Sequence, residues 1–270
     1  MMIPETIVYL HIPKTGGRSL QNILLRSFSE DEIIVDGHER MDEIAAWPED
    51  RKRKIRYFQG HFIFGAHRLL PQPSRYITTL REPVDRVISH YYFIKRCTAH
   101  PLNEIVNKGE IDLEGYVTSG VCDEVSNDQT RMIAGVSREA SVSADDMFRM
   151  ARDNIENQFI LAGLVERFDE TLLLLKRQLG LRHIFYGVRN QTIGRPLRDN
   201  VPGKIQDQIR ERNTADIQLY EYVGNSLQNR IDEVGASFSR DVRRFQMLNR
   251  PYSDIFHFAR IVKNKLSRVG

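Results

Sequence analysis

The sequence predicts an α/β fold: a central parallel sheet flanked by helices, with a helical C-terminal region. Three observations carry that reading. Apolar runs of strand length alternate with helical patterns through the first third of the chain, and strands joined by crossover helices form parallel sheets. A continuous apolar run at Phe159–Leu164 feeds directly into a leucine-rich helical pattern. From Pro202 to about Ile231 the spacing is helical, with Leu219, Tyr220 and Val223 on the inward face.

The elements follow in order. Residues 7–11 are a short apolar run and read as the first strand. Residues 18–28 place Leu20, Ile23, Leu24 and Phe28 on one helical face, and residues 33–35 read as a short strand. Residues 55–60 and 76–80 are β-branched or aromatic runs, each followed by polar residues. Glu82-Pro83 then starts a helix, because proline suits a first turn, and Val84, Val87, Ile88, Tyr91 and Ile94 keep helical spacing. The middle, residues 101–151, is helical and irregular. Residues 166–179 carry four consecutive leucines, Leu172 to Leu175, and Gly180 stops that helix. Residues 188–203 are polar and rich in Arg, Asn, Gly and Pro. No long linker divides the chain. Residues 1–235 are expected to form one domain, and residues 236–270 a basic helical tail packed on it or extending from it.

Composition excludes several classes. The hydrophobic share of 41% in 270 residues is ordinary for a globular protein. No run approaches the roughly 20 apolar residues that span a bilayer. The first five residues lack the charged-then-apolar pattern of a secretory signal, so a soluble, cytoplasmic protein is expected. Cys97 and Cys122 are too few for a disulfide scaffold and show no metal spacing, so no metal is expected. The formal net charge is +3, but residues 236–270 hold eight Lys or Arg against two Asp, a local +6 that leaves the rest at −3. No nucleic-acid-binding motif is present, and no nucleic-acid partner is expected.

Residues 9–20, YLHIPKTGGRSL, read as strand, tight loop and helix. The loop carries Lys14, the glycines Gly16 and Gly17, and the hydroxyls of Thr15 and Ser19. Backbone N–H groups at a helix start, glycines that admit a ligand and a nearby cation together make an anion site. The nucleoside-triphosphate P-loop places its lysine after its glycines. Here Lys14 precedes them, and no hydroxyl follows the lysine at the helix start to hold Mg²⁺. The sheet and loop are thus P-loop-like and suited to phosphate or sulfate. An ATP–Mg²⁺ kinase and a ligand-free turn stand as alternatives.

Two further constellations end predicted strands. In TTLREPVDRVISHYYF, Arg81 lies where strand passes into helix, and Ser89 is two turns along on a side that can face the same way. An arginine fork plus a hydroxyl suits a second phosphate; the alternative is that Arg81 simply pairs with Asp85. In YFQGHF, His61 ends another strand at the same sheet edge, where open α/β sheets bind ligands, and is a candidate base near neutral pH. His11, inside the strand signal, and His67, beyond Gly65, are weaker candidates.

Taken in order, HIPKTGGRSL, YFQGHF and TTLREPVDRVISHYYF resemble the sulfotransferases that use 3′-phosphoadenosine 5′-phosphosulfate (PAPS), most closely the heparan sulfate 2-O-sulfotransferase and uronyl 2-sulfotransferase group. SNDQTRMIAG (residues 126–135) and GLVERFDETL (residues 163–172) are similar to further segments of that group, so the resemblance spans residues 7 to about 222. The resemblance implies transfer of a sulfuryl group from PAPS to a hydroxyl of a carbohydrate, such as a uronic-acid-containing polysaccharide. It implies that Lys14, Thr15, Gly16, Gly17, Arg18 and Ser19 bind the 5′-phosphosulfate, with Lys14 stabilising the group in transfer. Arg81 and Ser89 would hold the 3′-phosphate, His61 would be the base, and Arg189 and Arg195 would lie in a basic loop closing over the cofactor. Animal members carry an N-terminal membrane anchor; this chain shows none, so a bacterial-type soluble member is expected. Gly16-Gly17-Arg18 stands where the heparan enzymes carry small residues and threonine, which leaves the acceptor open. A small metabolite or lipid acceptor, and a non-catalytic binder of sulfated glycans, are the remaining alternatives.

Two basic segments lie outside these motifs. Residues 254–266 are a basic amphipathic pattern with Ile255, Phe258, Ile261 or Val262, and Leu266 as the apolar set. They suit a peripheral membrane contact, a groove for an acidic polymer, or a helix packed on the domain. The run Arg51-Lys52-Arg53-Lys54 is expected to be a solvated loop, with acceptor binding as the alternative.

Overall fold

Five strands form one sheet in the order β2-β3-β1-β4-β5. They are β1 (Thr6–Leu10), β2 (Ile33–Ile34), β3 (Tyr57–Gly60), β4 (Ser74–Leu80) and β5 (Phe159–Leu164). Every pairing is parallel, so the expected sheet is present and all five carboxyl ends share one edge. The computed structural model describes residues 5–187 and 198–266, with side chains as far as Ile255. Ile7, Val8, Tyr9 and Leu10 of β1 are fully buried. That is why the strand reads as a continuous apolar run: both its faces are covered.

Twelve α-helices lie among the described residues. They are α1 (Gly17–Leu24), α2 (Met41–Ala45), α3 (Glu49–Arg53), α4 (Pro83–Ile94), α5 (Asn103–Asn107), α6 (Leu113–Thr118), α7 (Asp128–Ala134), α8 (Ala144–Gln158), α9 (Phe168–Leu179), α10 (Gly203–Arg212), α11 (Thr214–Val234) and α12 (Ser237–Leu266). The first helix stops sooner than the apolar spacing suggests. A 3₁₀ turn follows it, and Phe28 then takes extended backbone and stacks on Tyr57 at 5.5 Å. Proline at the first position of α4 and Gly180 at φ 67° after α9 act as expected of them. The main core joins the sheet to α1, α7, α8, α9 and α11, and it also takes in Phe238 and Phe245 of α12. A second cluster lies between α4, α6 and α10.

The helices α7 and α11 cap each other. The first N–H groups of a helix have no partner within it and need an outside acceptor. Asn127, at φ 48°, accepts through Oδ1 from the N–H groups of Ala215 and Asp216 at 2.9 and 3.1 Å. In return Asp216 Oδ1 accepts from the N–H and the hydroxyl of Thr130, both at 2.7 Å, and its Oδ2 accepts from Gln129 N–H at 3.3 Å. Asn213 closes the set, accepting from Asn127 N–H at 3.0 Å and donating to the carbonyls of Val125 and Ile209. All of these side chains are buried, so their polar atoms depend on one another. Arg86, also fully buried, donates to the Glu124 carbonyl at 2.5 Å and lies 3.8 Å from Asp128 and 4.0 Å from Asp216.

Gly163 in β5 has a packing reason. A Cβ there would lie 2.1 Å from Thr171 Cγ2 on α9, while Thr171 Oγ1 accepts from Leu164 N–H at 3.2 Å. Gly163→Ala is expected to destabilise the protein by about 1–3 kcal/mol, the usual cost of overpacking a core, read as a lower urea midpoint with an unchanged slope.

Candidate active site

The anion loop is strained and uncapped. Lys14 and Gly16 adopt φ 70° and 72°, and for the lysine that left-handed backbone costs on the order of 1–2 kcal/mol. The N-cap of α1, Gly16, offers no side-chain acceptor, and the first turn holds no acid. It carries Arg18 instead, against the helix dipole's preference. Positive charge added to a positive helix end suits a bound anion. Gly17 is required by close approach: a Cβ would lie 1.9 Å from His11 Nε2 and 2.7 Å from the Tyr9 hydroxyl. The Thr15 hydroxyl turns inward, donating to the Ile12 carbonyl at 2.9 Å, while Thr79 donates to the Thr15 carbonyl at 3.0 Å. That hydroxyl is engaged in shaping the loop.

Arg81, just past β4, does pair with Asp85, at 3.0 Å through Nε and 2.5 Å through Nη2. Its Nη1 also donates to the Lys14 carbonyl at 3.3 Å. Asp85, Ser89 and Phe93 lie at i, i+4 and i+8 on α4 and so share one face. The Lys14 ammonium sits over the Phe93 ring, 4.4 Å from its centroid. Ser89, buried, lies between the residue that holds Arg81 and the residue that holds Lys14. The fold thus gathers Lys14, Arg81 and Ser89. Arg189 and Arg195 lie outside the described residues.

His61 follows β3 on the other side of β1. Its Nδ1 lies 2.6 Å from the His11 carbonyl oxygen. A carbonyl only accepts, so Nδ1 carries the proton, and in the neutral ring Nε2 carries the acceptor lone pair. The ring packs on His11 at 4.4 Å and meets the edge of His38 at 5.1 Å. Burial lowers the His61 pKa first, the His11 carbonyl opposes that, His38 lowers it further and Asp36 raises it. His11 is a structural companion: Gln59 Nε2 lies 3.4 Å from its Nδ1, Tyr9 stacks on it, and burial, followed by the nearby His61 and Arg18, pushes its pKa down to about 3.

His11, Arg18, Gln21, Asn22, Asp36, Gln59 and His61 line a pocket of about 280 Å³. Sequence reasoning did not single out Gln21, Asn22, Asp36 or His38. Asp36 and His38 follow β2, the short strand expected at residues 33–35, but they belong to none of the motifs read from the sequence. The remaining signal was a polar segment, DGHER, after three apolar residues. His67 is engaged elsewhere, with Nδ1 2.8 Å from the Tyr76 hydroxyl. The Arg51–Lys54 run begins in α3, and Gln72 ties the Lys52 carbonyl to Thr6 at the start of β1. That is the amino edge of the sheet, away from the pocket. His90, Cys122 and Glu124 also come together, but His90 Nε2 faces Glu124 at 2.6 Å, Arg138 lies 3.3 Å from the same carboxylate, and burial keeps the Cys122 thiol protonated. That chemistry is an ion-pair cluster.

Residues 50–255 match the model of the galactose-3-O-sulfotransferase family. Galactose-3-O-sulfotransferase 3 of Bos taurus is 25% identical over 286 residues, covering 92% of this chain and 64% of that protein. Uronyl 2-sulfotransferase of Mus musculus is 24% identical over 257 residues, covering 82% and 61%. Heparan sulfate 2-O-sulfotransferase hst-2 of Caenorhabditis elegans is 23% identical over 195 residues, covering 64% and 59%. The chain spans less than two thirds of the length of these relatives. They bear out the resemblance to the uronyl and heparan 2-O group and add the galactose-3-O proteins to it. Among the described residues no helix is long and apolar enough to cross a membrane.

The two imidazoles are expected to titrate apart. By ¹⁵N NMR, His61 should gain its second proton at a midpoint below the ordinary 6.5, from a neutral form protonated on Nδ1, and His11 should stay neutral down to about pH 3.

Proposed function

The chain belongs to the galactose-3-O-sulfotransferase family, and we propose that it transfers a sulfuryl group from PAPS to a carbohydrate hydroxyl, with His61 as the base. The observation that carries this reading is the His61 Nδ1–His11 carbonyl bond, which leaves Nε2 as proton acceptor in the pocket wall beside the anion loop. The anion loop and Arg81 suit the two charged ends of the donor, adenosine 3′-phosphate 5′-phosphosulfate.

In this reading His61 Nε2 takes the acceptor's hydroxyl proton as the new S–O bond forms. The old S–O bond breaks on the far side, and its electron pair stays on the 5′-phosphate of adenosine 3′,5′-bisphosphate. Lys14, moving off Phe93, and the α1 N–H groups meet that charge. Such transfer relies on positioning and charge stabilisation more than on covalent help from protein. A lowered His61 pKa serves the base: the ring is neutral above it and protonated below. Activity should therefore fall as pH drops through a value below 6.5.

The pocket lining favours a neutral sugar. Gln21, Asn22 and Gln59 offer amides, and Asp36 offers a carboxylate for hydroxyl donors. Among the described lining residues Arg18 is the one cation, and it stands at the anion loop. Among the described lining residues a uronate carboxylate would meet Asp36 and find no cation beyond Arg18.

Adenosine 3′,5′-bisphosphate at a hundredfold excess over its Kd should stabilise the protein by about 2.7 kcal/mol, raising Tm by several degrees, while ATP–Mg²⁺ should not. A kinase would give the reverse. An acceptor screen with labelled PAPS should mark neutral hexosides ahead of uronates; labelling of uronates first would remove the neutral-sugar reading.

A further inference from the structure

We propose that Gln129 is a positioning residue for Arg81, and through Arg81 for the anion loop. This rests on the reading of Arg81 as a ligand of the donor's 3′-phosphate. The β4–β5 ladder ends at the pair Leu80↔Leu164, so Arg81 is the first residue beyond it. Its backbone N–H and carbonyl have lost their strand partner just where the guanidinium must be aimed. Gln129, fully buried in α7, replaces that partner. Its Oε1 accepts from Arg81 N–H at 2.9 Å, and its Nε2 donates to the Arg81 carbonyl at 3.0 Å.

Only an amide of this length does both. Glutamate lacks the donor, asparagine is one methylene short, and methionine offers neither bond. The amide is itself oriented, because Nε2 also donates to Asp216 Oδ2 at 3.3 Å. On the other side, Arg81 Nη1 holds the Lys14 carbonyl at 3.3 Å. One continuous path therefore runs from Asp216 through Gln129 and Arg81 to Lys14. The fold of α7 does not need the Gln129 side chain: its N-terminus is capped by Asp216 through backbone N–H groups, and Met132, Ile133 and Ala134 seat it in the core.

The test uses the full chain and adenosine 3′,5′-bisphosphate, with calorimetric Kd and circular dichroism as readouts. Arg81→Ala and Gln129→Met should each weaken binding by roughly tenfold or more with the spectrum unchanged, and the double variant should be no more than about twofold worse than Arg81→Ala alone. Multiplicative losses, or a Gln129→Met protein that binds like wild type while Arg81→Ala does not, would overturn the proposal. An Arg81→Ala protein with wild-type affinity would remove the reading of Arg81 itself, and the clamp with it. Should Gln129→Met fail to fold, Gln129→Glu decides. A protonated acid regains the donor, so its affinity relative to wild type should recover as pH falls; a flat ratio would contradict a positioning role.

Discussion

The site depends on β1 lying between β3 and β4 in a parallel sheet. Parallel strands deliver their carboxyl ends to one edge, and the central strand's loop is flanked by both neighbours' loops. Chain connections from β1 and β4 leave in opposite directions, which opens a crevice between them. The anion loop after β1 and Arg81 after β4 stand on its two sides, and His61 after β3 completes the edge. Moving β1 to the sheet margin would separate His61 from the loop of Lys14–Ser19 whatever the side chains were.

That edge is held by side chains that take over where strand pairing ends. Thr79 and Arg81 bond the carbonyls of Thr15 and Lys14, and Glu166 accepts from Glu82 N–H at 3.0 Å, tying the end of β5 to the start of α4. Behind them the reciprocal caps of α7 and α11 are buried and mutually satisfied. Leaving such a group without its partner costs about 1–3 kcal/mol, which gives the arrangement one preferred geometry. The left-handed Lys14 backbone is tolerated because these contacts determine it. Preorganised donors need no rearrangement when charge develops, and the proposed sulfuryl transfer would draw on that property.

Much of this was legible from local patterns. The strands announced themselves as apolar runs, and Lys14, Arg81 and His61 stood at their ends. The sheet order that brings those ends together is a long-range fact that no local pattern reports. The rest hid for physical reasons. Strand β2 was legible at residues 33–35, but the polar segment after it carries no motif, so Asp36 and His38 looked like ordinary loop residues. Thr15 looked like a ligand donor, yet its hydroxyl is spent on the Ile12 carbonyl. Gln129 stood in a recognisable segment, but its function needs Arg81, 48 residues away, and Asp216, 87 residues away. No periodicity reports a buried amide that imitates a strand.

In the proposed mechanism His61 takes the proton while the anion loop holds the donor. The direct measurement compares His61→Ala with wild type for two quantities: the Kd of adenosine 3′,5′-bisphosphate, and the rate of label transfer from PAPS to an accepted sugar. With His61 as the base, the Kd should be unchanged and the rate lower by about 10²–10⁴-fold. A His61→Ala protein that transfers the label at the wild-type rate would contradict that role.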